Sequence, residues 1–549
     1  MTDTTSAQRV ELYDTTLRDG TQGIGVSLSV VDKLRIARLL DELGFDFIEG
    51  GYPLSNPKDV AFFEQARDIN WRHAKLTAFG MTRRKGIAPE DDTGLNALVA
   101  AQTPVIAIVG KTWDLHVDEV LRVDREENLA MIRDSVQWCR ENMKDGGEVF
   151  YDAEHFFDGY RANPDYALAT LRAAADGGAT RLVLCDTNGG SLPGWIAQAI
   201  REVQAALGDK PALAIHCHND AGVAVANTLT AIDAGAVQAQ GTINGIGERC
   251  GNVDLITVAA DLALKLGRDV LHPDALPRLK ELSDTVYELA NVPPTPNQPY
   301  VGPGAFAHKG GMHVHAVQRI AHSYEHVPPE SVGNERRVLV SELSGVSNVV
   351  ATLGSKFGVA DDKALQRQVL EKVQDMEHAG YQFEQAPASF ELLMRDALGQ
   401  RQAFWELDHY RCTIVKRGDA ADASTEATVK LRIDGQTHHE VAEGDGPVNA
   451  LDGALRKCLR GQYPSIDSVH LTDYQVRVIN PTAESAAKVR VVIEFAVKDP
   501  DETSTPLQVF STIGVNENIV DASWEAIGDA FQHYLLETET SEDATRVAS

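Results

Sequence analysis

Hydrophobic and polar positions between about residues 10 and 270 repeat as one unit: an amphipathic helix, a glycine, a short β-rich strand, then polar residues. "LRIARLLDELG" runs into "FDFIEGGYP", "ALATLRAAADGG" into "ATRLVLCDTNGG", and "ANTLTAIDAG" into "AVQAQGTINGIGE". Gly44, Gly178 and Gly235 stand at the predicted helix C-termini, where glycine takes positive φ without a Cβ clash. Strands are predicted near 10–15, 46–50, 76–80, 104–109, 148–153, 181–185, 212–217 and 236–241. Strands alternating with helices imply a parallel sheet joined by crossover helices, and eight such units have the size of a (β/α)₈ TIM barrel. A doubly wound open sheet is the alternative, but no G-x-G-x-x-G follows the first strand.

The pattern breaks near residue 271. "NVPPTPNQPYVGPGAF" is too rich in proline and glycine for a barrel element, and "HKGGMHVHAV" and several helical stretches follow it. From 405 onward the chain alternates like strands, as in "EATVKLRI", "YQVRVIN" and "KVRVVIEFAV". "VNALDGAL" (448–455) and "VDASWEAI" (520–527) form a weak internal repeat, each opening a helix, so this part is read as a duplicated α+β module. The predicted fold class is therefore α/β: a barrel over 8–275, a linker with helical subdomains over 276–400, and a C-terminal α+β domain over 405–549.

Composition narrows the function classes. The 549 residues are 43% hydrophobic and 24% charged, as in ordinary soluble proteins. No apolar run reaches the roughly 20 residues of a membrane span, and the polar start "MTDTTSAQRV" lacks a signal core. Six cysteines (139, 185, 217, 250, 412 and 458) without paired spacing read as reduced thiols of a cytoplasmic protein. A net charge of −29 argues against a nucleic-acid surface.

In a barrel the C-terminal strand ends gather at one face, so residues distant in sequence converge there. Strand one delivers Arg18 and Asp19, strand two Glu49, strand five Glu154, and strand six Asp186, Thr187 and Asn188. Strand seven carries "HCHND", and strand eight leads to "NGIGERCGN". On an extended strand His216 and His218 share a face, while Cys217 points the other way into packing. H-x-H alone is often two unrelated histidines, but Asp19 adds an oxygen ligand and Asn252 a weaker carbonyl one. Two histidines and a carboxylate leave positions open for substrate, and a thiolate-free N/O set admits Mn²⁺, Mg²⁺, Co²⁺ or Zn²⁺. Arg18 beside that set would stabilise a developing enolate or alkoxide; the plainer alternative pairs it with Asp14. Glu154 reads equally as a catalytic group or a strand-end carboxylate. Cys185 and Cys250 are read as structural, and no cysteine as a nucleophile.

"LYDTTLRDGTQ", "HCHND" with "GVAVANTLTAI", and "GERCGNVDL" resemble the signatures of the 2-isopropylmalate, homocitrate and citramalate synthases. "LDELGFDFIEGGYPLSNPKDVAFF", "YDAEHFFDGYRANPDYAL", "YEHVPPESVGNERRVLVSELSG" and "STIGVNENIVDASWEAI" are similar to the citramalate-synthase branch over nearly the whole length. The resemblance implies a metal-containing TIM barrel that condenses acetyl-CoA with an α-keto acid, pyruvate for this branch, in isoleucine biosynthesis. It implies Asp19, His216, His218 and Asn252 as metal ligands, Arg18 on the keto oxygen, and Thr187 on the keto-acid carboxylate. Glu154 and His313 (in "HKGGMH") would serve acid/base chemistry, with Tyr324 close by. The last domain would be a regulatory dimerisation module binding isoleucine. Tyr52 and Leu54 stand where Trp and Gly are common in this branch, and Ile24 where an acidic residue is frequent, which bears on keto-acid selectivity.

Chemistry supports that implication. The acetyl-CoA methyl is a very weak carbon acid, so a positioned base must take its proton while donors hold the enolate. His313 lies beyond the Pro-rich linker, so that linker must fold over a barrel mouth, its own or a partner's; the family resemblance implies a homodimer with shared sites. The competing readings are a 2-isopropylmalate synthase using 2-oxoisovalerate, a hydroxymethylglutaryl-CoA lyase-like enzyme and a non-catalytic amino-acid sensor. A biotin-dependent carboxyltransferase is disfavoured because no "MKM"-like motif occurs.

Overall fold

Eight parallel strands close on themselves: β1 (Glu11–Asp14), β2 (Phe47–Gly51), β3 (Lys75–Met81), β4 (Val105–Lys111), β5 (Glu148–Glu154), β6 (Arg181–Asp186), β7 (Ala212–Cys217) and β8 (Gln238–Gly241). β1 pairs with both β2 and β8, which rules out the open sheet. The computed structural model describes residues 8–144, 146–208, 210–339, 362–418, 423–479, 487–498 and 508–547. Residues 340–345, which end one of the family-like runs, and 346–361 of the expected helical subdomains lie outside the described residues.

One long helix follows each strand: α1 (Val30–Leu43), α2 (Pro57–Ala66), α3 (Thr93–Ala100), α4 (Arg125–Asn142), α5 (Pro164–Asp176), α6 (Pro193–Leu207), α7 (Ala224–Ala234) and α8 (Leu255–Leu264). Local chemistry sets their ends. Ser29 and Asp32 form a reciprocal capping box at the start of α1, and Gly44 ends it in the left-handed conformation (φ 91°). Gly235 (φ 121°) ends α7 as predicted, whereas after α5 Gly177 stays right-handed (φ −69°) and Gly178 makes the left-handed turn.

Strand alternation separates two cores. Tyr13, Phe47, Val105, Ala107, Phe150, Val183, Cys185 and Ala214 fill the barrel interior. Their neighbours, among them Leu12, Ile48, Ile106, Tyr151, Leu184, Ile215 and Cys217, pack outward against the helices. Below the mouth these side chains make much of the interior a packed apolar plug.

The chain divides into two compact units: residues up to 306 with 325–336, and 307–324 with 337–549. The first continues past the barrel into α9 (Leu279–Ala290). In the second, β9 (Ala307–His308) pairs in parallel with β10 (Arg337–Val338), and α10 (Gly311–Arg319), α11 (Lys363–Ala379) and α12 (Pro387–Ala397) follow in sequence or flank them. Two like halves come next. β11 (Glu406–Val415), β12 (Ser424–Ile433) and β13 (Gln436–Gly444) form an antiparallel sheet leading to α13 (Pro447–Leu459). β14 (Val469–Val478), β15 (Val489–Val497) and β16 (Gln508–Asn516) do the same before α14 (Ile519–Val547). The two repeat segments open α13 and α14, so the repeat is structural.

A polar seam runs along α14 at four-residue spacing. Asp521 accepts from the Tyr410 hydroxyl, Glu525 from the Tyr381 hydroxyl, and Asp529 from Ser389 Oγ at 2.8 Å. His533 lies 3.4 Å from Glu391, and Glu537 3.6 Å from Arg395. Glu391, His533 and Glu537 lie close enough to hold a metal ion. The Arg395 guanidinium, 2.8 Å from Glu391, already supplies a positive charge there, so we read the group as an ion-pair network fastening α12 to α14.

Candidate active site

The barrel mouth is a cavity of about 360 Å³ whose lining includes Arg18, Asp19, Tyr52, Phe79, Lys111, Asp152, Glu154, Thr187, His216, His218 and Arg249. Every barrel residue singled out from the sequence as catalytic, substrate-binding or a metal ligand lies on this cavity, except Asn252, which packs directly behind it. His313 and Tyr324 belong to the second unit, where their rings lie 4.5 Å apart.

Asp19, His216 and His218 are all buried, and their ligand atoms lie within 4.8 Å of one another. Asp19 Oδ2 sits 3.3 Å from His216 Nε2, and the Asn252 amide nitrogen lies 3.2 Å from Asp19 and 3.1 Å from His216 Nε2. Burial would raise the Asp19 carboxyl, but Arg18 and His216 outweigh it and hold it well below the usual carboxylate range. Burial, then the neighbouring His216, push His218 down to about 4, which keeps one ring nitrogen free to accept at neutral pH.

Two buried atoms here have no hydrogen-bond partner among the described residues: His218 Nδ1 and Asn252 Oδ1. Buried polar atoms are nearly always satisfied, so such orphans mark a missing partner. A carboxylate and two imidazoles around one point fit a divalent cation, and Asn252 joins them when its amide is turned to present Oδ1 in place of the nitrogen.

Arg18 does not pair with Asp14. Its Nε donates to Glu49 at 2.6 Å, its Nη1 lies 3.4 Å from Asp19, and its guanidinium stacks 3.9 Å over the Phe79 ring. Asp14 turns the other way and accepts from the Thr16 amide and hydroxyl at 3.1 and 2.7 Å; burial pushes it up to about 7. Glu49 is fully buried and also accepts from the Tyr13 hydroxyl at 2.6 Å and from Thr15. "LYDTTLRDG" is thus the turn that aims one guanidinium and one carboxylate across the mouth.

At the opposite wall, Lys111 at the end of β4 faces Glu154 at the end of β5 in direct register and pairs with it. His155 then takes a left-handed conformation (φ 53°), breaking the strand so that Glu154 stays on the rim. The His155 amide donates to Thr187 Oγ1 at 2.8 Å, leaving the hydroxyl hydrogen available to an anion. Arg249, also left-handed (φ 58°), donates to both Asp220 oxygens at 2.9 and 3.0 Å and to the Thr187 carbonyl at 2.7 Å. It ties together the loops after β6, β7 and β8.

Some functional candidates escaped sequence reasoning. Asp152 sits two residues before Glu154 on the inward face of β5, buried, its Oδ1 without a partner among the described residues; burial and then Glu49 push its carboxyl up to about 7. The alternation "YDAE" could have revealed it. Lys111, Phe79 and Arg249 carried no such signal, because their roles depend on neighbouring strands. Cys250, read as structural, is exposed; Cys185 and Cys217 are buried as expected. Tyr52 lines the cavity, whereas Leu54 and Ile24 are exposed.

Residues 9–286 match the HMGL-like family, 300–380 the homocitrate synthase post-HMGL domain-like family, and 384–535 the LeuA allosteric (dimerisation) domain. An (R)-citramalate synthase of Geobacter sulfurreducens is 49% identical over 98% of this chain and 99% of its own. The chain belongs to the citramalate synthase family. A second relative, the (R)-citramalate synthase of Synechocystis sp., is also 49% identical, over 95% of this chain and 96% of that one. A probable 2-isopropylmalate synthase of Methanopyrus kandleri is 33% identical over 94% and 97%. Membership accounts for both units, the barrel and the duplicated module that matches an allosteric domain. No described helix is long and apolar enough to cross a membrane.

Proposed function

We propose that this chain condenses acetyl-CoA with pyruvate and hydrolyses the resulting thioester, giving (R)-citramalate and CoA with one water consumed. Identity of 49% over almost the entire chain to (R)-citramalate synthases carries the reading, and the convergence of Arg18, Asp19, His216 and His218 on one cavity supports it. Asp19, His216, His218 and Asn252 would hold the divalent ion, with Mn²⁺ or Mg²⁺ favoured by the oxygen ligands and Zn²⁺ or Co²⁺ also compatible. When bound, it supplies Lewis acidity to the oxygens of the keto acid and fixes their orientation.

The protein groups do the rest. Thr187 donates to the substrate carboxylate from a hydroxyl whose oxygen already accepts from His155. Arg18, braced by Glu49, donates to the keto oxygen as negative charge collects there. His313, beside Tyr324, and Glu154 supply the acid/base chemistry that takes the acetyl methyl proton. The enolate carbon then attacks the carbonyl carbon of pyruvate, the alkoxide is protonated, and water cleaves the thioester. A homodimer completes each site, the cytoplasm is its compartment, and the C-terminal module binds isoleucine as an inhibitor in isoleucine biosynthesis.

The test is CoA release from acetyl-CoA with pyruvate, 2-oxobutyrate, 2-oxoisovalerate and 2-oxoglutarate, in Mn²⁺ or Mg²⁺. Pyruvate should give the highest kcat/KM; dominant release with 2-oxoisovalerate would make this a 2-isopropylmalate synthase instead. No release with any keto acid would overturn the reading. Titrating isoleucine and leucine into the same assay should inhibit with isoleucine alone.

A further inference from the structure

A line of buried amides runs down the inside of the barrel from His216 to its opposite end. His216 Nδ1 lies 3.2 Å from Gln240 Oε1, and Gln240 Nε2 donates to Gln238 Oε1 at 3.1 Å. Gln238 Nε2 donates to Glu11 Oε2 at 3.0 Å, and the Arg181 fork grips both Glu11 oxygens at 3.1 and 2.6 Å. Gln238 and Gln240 are at most 1% exposed and share the inward face of β8, while Ala239 between them packs outward. Strand register places Glu11 opposite Gln238, and His216 opposite Gln240.

Two adjacent glutamines inside an otherwise apolar barrel plug are expensive to bury unless each is satisfied. Their polarity is also determined. An arginine-paired carboxylate only accepts, so Gln238 must turn its NH₂ toward Glu11. Its oxygen then faces Gln240, which must donate, and the Gln240 oxygen is left for His216. That oxygen only accepts, so the His216 proton sits on Nδ1 and the Nε2 lone pair faces the cluster, 3.3 Å from Asp19 and 3.1 Å from the Asn252 amide. The direction of every amide follows from the ion pair at the far end, independently of any assignment of amide atoms.

We propose that Gln240 is the positioning residue that sets the tautomer and orientation of His216 for cation binding, its own polarity imposed through Gln238 by the Glu11–Arg181 pair. This rests on the proposed metal site and deepens it. Partners of ligating imidazoles elsewhere tune metal affinity by roughly 10- to 100-fold. The relay differs in that its anchor lies at the other end of the barrel.

The test is Mn²⁺ affinity of the metal-stripped full chain, measured by competition with a fluorescent chelator, for the unsubstituted protein, Gln240→Leu and Glu11→Gln. Gln240→Leu should weaken Mn²⁺ binding by roughly 10- to 100-fold. Glu11→Gln should weaken it by a few-fold without touching the cation, because a neutral amide no longer dictates the direction of the chain. If Gln240→Leu fails to fold, Glu11→Gln carries the test alone, being partly exposed at the barrel end. Mn²⁺ binding by the foldable variants within twofold of the unsubstituted chain would overturn the relay and leave the metal site standing. No Mn²⁺ binding by the unsubstituted chain would overturn both.

Discussion

Glu49→Gln isolates what holds Arg18 in place. Glu49 is fully buried and takes three donors: Tyr13, Thr15 and the Arg18 guanidinium at 2.6 Å. An amide of the same shape keeps one acceptor oxygen and turns an NH₂ toward donors that need an acceptor. Removing one partner of a buried ion pair destabilises by about 3–5 kcal/mol, because the other charge stays buried and uncompensated. Arg18 keeps Asp19 at 3.4 Å and the Phe79 face at 3.9 Å; a desolvated cation–π contact contributes about 2 kcal/mol at most. With that offset in full, the expected net loss is about 1–3 kcal/mol in the barrel. For catalysis the guanidinium loses its brace, and a misdirected donor at a developing oxyanion lowers kcat by about 10²- to 10³-fold. Thermal unfolding followed alongside steady-state CoA release measures both. Pyruvate KM should move far less than kcat, since the interaction lost is strongest in the transition state. A variant with unchanged Tm and kcat within twofold would show that Glu49 merely fills space, and the account of Arg18 would be wrong.

Glu154→Gln should lower kcat by at least about 100-fold with the fold intact by circular dichroism; full turnover would remove Glu154 from the scheme. Lys111→Met should give a smaller loss in kcat, about 10-fold, partly recovered by Lys111→Arg, because the arginine still reaches the rim carboxylate. Arg249→Lys loses the fork on Asp220 and the bond to the Thr187 carbonyl, so the keto-acid KM should rise about 10-fold with a lesser change in kcat. Asp529 is pushed up to about 6 by burial. A carboxyl raised in the folded state binds its proton better there than when unfolded, so stability falls as pH rises from about 4 through 6 and is level above. Asp529→Asn should therefore raise Tm at pH 8, by about 1–3 kcal/mol of stability, and leave it unchanged near pH 4; a gap independent of pH would contradict this.

The barrel was legible because its periodicity is local. Each unit repeats helix, glycine and strand, and the eight predicted strands all form. "HCH" was legible for the same reason, since period two alone puts both imidazoles on one face. What stayed hidden was pairing across strands. Read from the sequence, the plain partner for Arg18 is Asp14, four residues away; its actual partner, Glu49, is thirty-one away. Only the closure that sets β1 against β2 decides it, and it does so in favour of the distant carboxylate. Lys111 and Glu154 are forty-three residues apart and meet because β4 and β5 share a register.

Nearest-neighbour registry also explains why the mouth tolerates so many charges. Each cation facing the cavity is matched by a carboxylate from an adjacent strand or loop: Arg18 by Glu49 and Asp19, Lys111 by Glu154, Arg249 by Asp220. Asp152 makes no ion pair and keeps one oxygen without a hydrogen-bond partner among the described residues. Desolvating these groups singly would cost several kcal/mol apiece, whereas paired they stay charged and fixed. A mouth built this way is oriented before substrate arrives, with Arg18 on one wall and Thr187 on another. In the proposed reaction, a small two-oxygen acid would be held at both ends at once, and the carbon between them would meet the enolate without further reorganisation of the protein.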